Sequence, residues 1–177
     1  MKFAYADPPY PGMAHFYDCP EVDHEALVVD LCERFPDGWA LSTASTTLQQ
    51  VLAICPSDVR IGAWIKPFAS FKPGVNPGYC WEPVIFRGGR RRTDKSELTV
   101  RDFVAENITL RRGFTGAKPE AFCWWIFEFL GMTPKDEFHD MFIGSGAVTR
   151  AWETYCTERL FPAKPTAPIM LDMDLAQ

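Results

Sequence analysis

A chain of 177 residues with 47% hydrophobic and 14% aromatic residues can bury a sizeable core, which excludes a disordered tail. Its formal net charge of −5 at pH 7 disfavours tight nonspecific binding to nucleic acid, so such binding would require a local basic patch. The six cysteines and three histidines show no metal-ligand spacing, so we expect buried thiols in a reducing cytoplasm and no metal site. We also expect no signal peptide and no membrane span, because no apolar run approaches ~18 residues.

The first predicted strand covers residues 2–6 and ends on Asp7, Pro8, Pro9 and Tyr10. Two consecutive prolines fix two φ angles and remove two backbone donors, so the strand cannot continue. The main-chain carbonyls of Asp7 and Pro8 are therefore expected to point out of the sheet. A carboxylate and a free carbonyl can together accept both hydrogens of one amino group, and Tyr10 offers a flat face to a planar ring. This turn is typical of a site for the exocyclic amine of a nucleobase.

Strands and helices alternate through the next part of the chain. Apolar periodicity and breaker residues predict helices over 21–35 and 47–54 and strands over 39–43, 59–65 and 79–87. Pro83 lies inside the last of these strands, which indicates an edge strand or a bulge. The alternation predicts an α/β fold with a mostly parallel sheet and helices on both faces. In such folds ligands bind beyond the carboxyl ends of the strands, and Asp7 closes a strand at such an end.

The most basic stretch of the chain interrupts this alternation at about residues 88–113 and contains Arg90, Arg91 and Arg92. Affinity for nucleic acid that does not depend on base sequence comes from lysine and arginine near phosphates. The stretch therefore predicts an insert that contacts phosphates. The alternative is a solvated loop, and the concentration of positive charge in an acidic protein favours the insert.

A largely apolar helix is predicted to begin around Lys118 and Pro119 and to end at Gly131, because proline favours the first turn and glycine the end. The sequence then predicts a strand over 137–142, a turn of Gly144, Ser145 and Gly146, and a helix over 147–158. Glycine lets the backbone approach a ligand closely, and a helix amino terminus favours an electronegative group. Taken alone, this pattern predicts either a ligand cradle or an ordinary tight crossover.

In combination, the motifs resemble those of the adenine-N6 DNA methyltransferases that use S-adenosylmethionine (SAM). The order is that of the β class, in which the catalytic motif precedes the cofactor motif, and the resemblance covers residues 3–152. It implies a Rossmann-like methyltransferase fold and a base-binding catalytic turn of Asp7, Pro8, Pro9 and Tyr10. It also implies that SAM is bound by Lys118, Pro119, Asp140, Phe142, Gly144, Ser145 and Gly146. Relatives continue into a strand whose terminal acid holds the cofactor ribose, and here residues 169–172 are the candidate, with Asp172 as the acid.

The predicted function is transfer of a methyl group from SAM to the N6 amine of adenine in DNA. We expect a single catalytic domain over residues 1–160, carrying the basic insert, and a tail over 161–177. The alternatives are the same chemistry on RNA adenine or on N4 of cytosine, and a catalytically silent nucleic-acid-binding subunit of a methyltransferase complex. Cytosine enzymes more often carry serine at the position of Asp7, which favours adenine. We expect a cytoplasmic protein that binds DNA and no membrane, with RNA binding and a homodimer left open.

Overall fold

Six strands form one sheet within the residues that the computed structural model describes, which are 1–17, 19–68, 74–93, 99–108 and 117–160. The strands are β1 (Lys2–Ala6), β2 (Gly38–Ser42), β3 (Arg60–Ile65), β4 (Trp81–Gly88), β5 (Phe103–Ala105) and β6 (Glu137–Asp140). Their spatial order is β5-β3-β4-β2-β1-β6. β1 is parallel to β2 and β6, and β3 is parallel to β5, whereas β4 runs antiparallel to both of its neighbours. The mostly parallel sheet predicted from the sequence is confirmed.

Helices cover both faces of the sheet, as the alternation predicted. On one face lie α1 (His24–Arg34) and α2 (Leu48–Ile54), and on the other lie α3 (Glu120–Phe129) and α4 (Ala147–Leu160). Successive residues of β1 point to opposite sides, so Phe3 and Tyr5 join the core under α3 and α4 while Ala4 and Ala6 join the other. Burial on both faces explains the uninterrupted apolar run of β1. None of the described helices combines the length and apolar character needed to cross a membrane.

β4 is a central strand, although Pro83 within it predicted an edge strand or a bulge. Pro83 lies opposite Ala63 in an uninterrupted ladder with β3, while the ladder with β2 ends at Val84. The Pro83 carbonyl accepts a hydrogen bond from the N–H of Thr43 at 3.1 Å, just beyond the end of β2. Since both polar groups of a residue in an antiparallel strand point to the same side, the Pro83 nitrogen faces away from β3. The missing donor therefore interrupts neither ladder.

Local capping chemistry decides where two of the helices begin and end. The Asp23 side chain accepts a hydrogen bond from the N–H of Ala26 at 2.9 Å, so α1 begins after Asp23 and not at residue 21 as predicted. Pro119 precedes α3 in an extended conformation with φ −68° and ψ 151°, which keeps Lys118 outside the helix. Gly131 follows α3 with φ +65°, in agreement with the predicted end.

Part of the predicted basic insert belongs to the sheet. Residues 103–105 form β5, and the indole N–H groups of Trp64 and Trp125 donate hydrogen bonds at 2.8 Å to the carbonyls of Glu106 and Arg101. These contacts attach the described part of the insert to the protein core.

Candidate active site

Four charged side chains meet at the carboxyl edge of the parallel strands. Asp7 directly follows β1 and Lys66 directly follows β3, so both emerge at this edge. Glu82 reaches it because β4 is antiparallel and begins there. Lys118 reaches it from the segment before α3. We call these four residues the charge network.

Short contacts join the members of the charge network. The ammonium group of Lys118 lies 3.1 Å from Asp7 Oδ1 and 2.6 Å from Glu82 Oε1. Glu82 Oε2 lies 2.8 Å from the Nζ atom of Lys66. The side chains of Lys118 and Glu82 are only 6% and 9% exposed. Two carboxylates and two ammonium groups balance in charge. Such pairing is what allows a protein to hold ions where solvent has little access.

Burial and the neighbouring charges shift the pKa values of three members in different directions. Burial alone would raise the pKa of Glu82, but the charges of Lys118 and Lys66 outweigh it and lower that pKa to about 2. Burial alone would lower the pKa of Lys118, but Asp7 and Glu82 hold it well above its usual value. At Asp7 burial outweighs the charge of Lys118, and the pKa is raised. The carboxylate of Asp7 therefore has an increased affinity for a proton. It is held in place by Lys118, which stays charged.

Tyr10 lies against the charge network. Burial raises the pKa of its hydroxyl well above the usual value, and the nearby charges of Glu82 and Asp7 raise it further, so the hydroxyl stays protonated. Its carbonyl accepts the N–H of Met13 at 2.8 Å, which closes the turn after Pro8 and Pro9. This backbone contact fixes the turn that carries Tyr10.

The predicted glycine turn lies next to this cluster because β6 pairs with β1. Asp140 ends β6, and its Oδ2 accepts a hydrogen bond from the Thr149 hydroxyl at 2.9 Å. Its Oδ1 atom is buried and has no hydrogen-bond partner among the described residues, and burial raises its pKa. Gly144 and Gly146 have φ values of +46° and +68°, a region that residues with a Cβ rarely adopt.

The structure thus brings most of the predicted site residues to one edge, with some departures. Lys118, predicted beside the cofactor, contacts the carboxylate of Asp7, which was predicted to act on the substrate. Phe142 packs against the core shared by α1 and α2, Ser145 lies within the turn, and Pro119 serves as the residue before α3. The candidate strand at residues 169–172 lies outside the described residues.

Arg90, Arg91 and Arg92 lie at the other end of the sheet. The end of β4 pairs with the start of β2, so the residues that follow β4 are carried away from Asp7. Arg90 binds both carboxylate oxygens of Asp136 at 2.7 Å, and Arg92 lies 3.5 Å from the Glu128 carboxylate. These pairs attach the segment to α3 and to the connection between α3 and β6. The predicted contact with nucleic acid stays a prediction, and it would form a surface separate from the charge network.

Sequence reasoning missed Lys66 and Glu82, although each carried a signal. Lys66 follows a predicted strand directly, so it stands at a carboxyl edge just as Asp7 does. Glu82 is a carboxylate inside an apolar run, and a charge buried in a strand requires a partner.

No protein-family model matches the chain, and no curated protein sequence matches it significantly. Among solved structures, the chain is similar to the M1.HpyAVI–SAM complex, with a TM-score of 0.60 and 14% sequence identity over 88% of this chain and 78% of the other. It is also similar to a crystal structure of M1.HpyAVI, with a TM-score of 0.59 and 13% sequence identity over 88% of this chain and 77% of the other. At this identity the likeness shows the fold alone, and it confirms a Rossmann-like α/β fold.

Proposed function

We propose that this chain transfers a methyl group from SAM to the N6 amine of adenine in DNA. The observation that carries the proposal is the ion pair between the half-buried Asp7 and the buried Lys118, placed beside the Asp140 turn. The Asp7 turn offers acceptors for an amine, and the Asp140 turn offers a pocket for a cofactor. The shared fold of M1.HpyAVI, one of whose solved structures is a SAM complex, supports the pairing of these two functions.

The residues around the glycine turn fit SAM. The buried, unpartnered Oδ1 atom of Asp140 is suited to accept a hydrogen bond from an ammonium group such as that of the methionine portion. Around Gly144, an added Cβ would meet only the Phe142 carbonyl at 3.7 Å, so the backbone there is open to a ligand. When bound, SAM supplies an electrophilic methyl group on its sulfonium.

The chain's own residues would prepare the amine. The Asp7 carboxylate and the Pro8 carbonyl accept its two hydrogens, which draws electron density towards the nitrogen and stabilises the positive charge that forms on attack. Lys118 does not touch the amine in this scheme but holds the carboxylate in position. The raised proton affinity of Asp7 suits it to accept the proton that the methylated amine releases. Tyr10 stacks on the base, and no covalent nucleophile is needed.

Incubation of the protein with labelled SAM and separate DNA and RNA substrates, followed by mass analysis of the nucleosides, tests the proposal. We expect N6-methyladenine from DNA. If N4-methylcytosine forms, or if only RNA is methylated, the methyl-transfer reaction would stand and the substrate would have to be reassigned. SAM binding without a methylated nucleoside from any substrate would contradict the proposal and favour a silent subunit.

Gly146→Val is expected to weaken SAM binding by at least about tenfold. A β-branched residue at φ +68° is strained by about 1–3 kcal/mol, and relief of that strain would displace the turn from the ligand. Calorimetric titration of SAM measures the effect. Gly74→Val is the matched control, because Gly74 has φ +78° and open space around its Cβ position in a different loop. Unchanged affinity for SAM in a folded Gly146→Val protein would contradict the proposal that the glycine turn binds SAM.

A further inference from the structure

Exposed aromatic rings are concentrated at the end of the sheet that carries the charge network. Among the described residues six aromatic side chains are strongly exposed, and five of them, between 41% and 73% exposed, lie at this end. We call these five the aromatic rim: Phe16, Tyr17, Phe68, Tyr79 and Trp81. The sixth, Phe103, begins β5 and pairs with the middle of β3.

Members of the aromatic rim lie close in sequence to members of the charge network. Trp81 directly precedes Glu82, and Phe68 follows Lys66 by two residues, with its N–H donating to the Asn107 side chain at 3.1 Å. On the other side, Phe16 and Tyr17 lie within the connection that runs from Asp7 to α1. The rim residues thus lie in segments that leave the same end of the sheet as the charge network, next to the turn proposed to hold the target base.

Among the described residues, the positive charges at this end do not suit a surface that binds a phosphate backbone. Lys66 and Lys118 are both engaged by carboxylates, and Arg150 lies over the turn at Gly146, with a guanidinium nitrogen 2.9 Å from the position of an added Cβ. Binding to duplex DNA relies on many cations near phosphates. Binding to single strands relies strongly on bases stacked on aromatic side chains, because every base has a flat face.

We propose that the aromatic rim stacks on unpaired nucleotides flanking the target adenine, so that the substrate is a single strand and not an intact duplex. This inference rests on the proposed function, because it takes Asp7 as the position of the target base. A single strand presents its bases without the work of extruding one from a stacked duplex. Stacking on bases would also explain why several large aromatic rings are left exposed near Asp7, since such patches usually mark a binding site.

Fluorescence anisotropy with one labelled sequence, prepared as single-stranded DNA, single-stranded RNA and duplex DNA, tests the inference by binding alone. We expect a single strand to bind at least about tenfold more tightly than the duplex. Its salt dependence should correspond to few contacts, at a slope of about −0.7 per phosphate on a single strand. Comparing the two single strands identifies the preferred sugar.

Variants at the rim show whether stacking causes this binding. Phe16→Ala and Phe68→Ala should each weaken single-strand binding at least about fivefold, the lower end of what one stacked base contributes. Phe103→Ala, an exposed ring outside the rim, is the matched control and should leave the affinity unchanged. Thermal melting of each variant verifies that it is folded.

Three results would overturn the inference: a duplex bound as tightly as the single strand, affinity unchanged in both rim variants, or a dimer that Phe68→Ala dissociates. The last would assign the rim to a second copy of the chain. Methyl transfer is measured separately on the same strands. Rim-dependent binding without any methylated nucleoside would support the inference while rejecting the proposed function, so the two failures are distinguishable.

Discussion

Asp7→Ala is expected to lower the rate of methyl transfer by at least about 10²–10³-fold, the loss typical of removing one group that stabilises charge in the transition state. The variant deletes the carboxylate proposed to hold the amine. Lys118 keeps its 2.6 Å contact with Glu82, so the fold and the glycine turn should persist and SAM affinity should not change. Initial rates of label incorporation, with SAM titration by calorimetry, measure both quantities.

Asp58→Ala is the matched control for this experiment. Asp58 is an exposed aspartate whose carboxylate pairs with Arg87 at 2.9 Å, near the start of β3 and far from the charge network. It should retain full activity. If Asp7→Ala retains activity within tenfold of the unmodified protein, Asp7 does not contact the amine. If its melting temperature falls sharply, the role of Asp7 is structural.

Glu82→Gln is expected to reduce the free energy of unfolding by about 3–5 kcal/mol, the usual effect of removing one partner from a buried ion pair. The neutral amide would leave the ammonium groups of Lys66 and Lys118 close together without an opposing charge between them. Urea denaturation followed by circular dichroism measures the change. Glu137→Gln is the control, since the Glu137 side chain is 60% exposed and lies 3.8 Å from Lys2, and such pairs contribute less than about 1 kcal/mol. An equally small effect at Glu82 would show that the charge network does not stabilise the fold.

We also expect the stability difference between the unmodified protein and Glu82→Gln to depend on pH. The pKa of Glu82 is lowered from 4.5 to about 2 on folding, so its stabilisation is complete above the unfolded value. It is lost as the pH falls from about 4.5 towards 2, where the folded protein also takes up the proton. The raised pKa of Asp7 acts in the opposite direction, but Asp7 is present in both proteins. The difference in unfolding free energy between the unmodified protein and Glu82→Gln should therefore shrink in acid. A difference that stays constant with pH would show that the charge of Glu82 is not what stabilises the fold.

The local pattern predicted which segments form the sheet but not the direction of every strand. Residues 2–6 were identified as a buried strand because their apolar run ends at two prolines, and Asp7 was correctly placed at a carboxyl edge. Strand periodicity is the same in either direction, so the pattern did not reveal that β4 runs antiparallel to both of its neighbours. A signal was present, because residues 66–80 carry no helical pattern and a parallel connection usually needs a helix.

The reversed direction of β4 accounts for the largest differences between prediction and structure. It carries Glu82 to the end where Asp7 lies, and this gives Lys118 a second carboxylate. It also carries Arg90 and the residues after it to the opposite end, where Asp136 and Glu128 engage them. Contacts between distant segments decide this arrangement, and no single stretch of sequence encodes them.

The position of β1 between β2 and β6, buried on both faces, has a consequence for how the protein loses activity. Amide hydrogens in such a strand exchange with solvent only through openings that approach complete unfolding, whereas loops open locally at small free energy. Asp7 is the next residue after this strand and shares its low mobility. On gradual heating, the Asp7 carboxylate should keep its position until the cooperative transition itself. Slow exchange along β1, together with inactivation that coincides with global melting, would reveal this coupling.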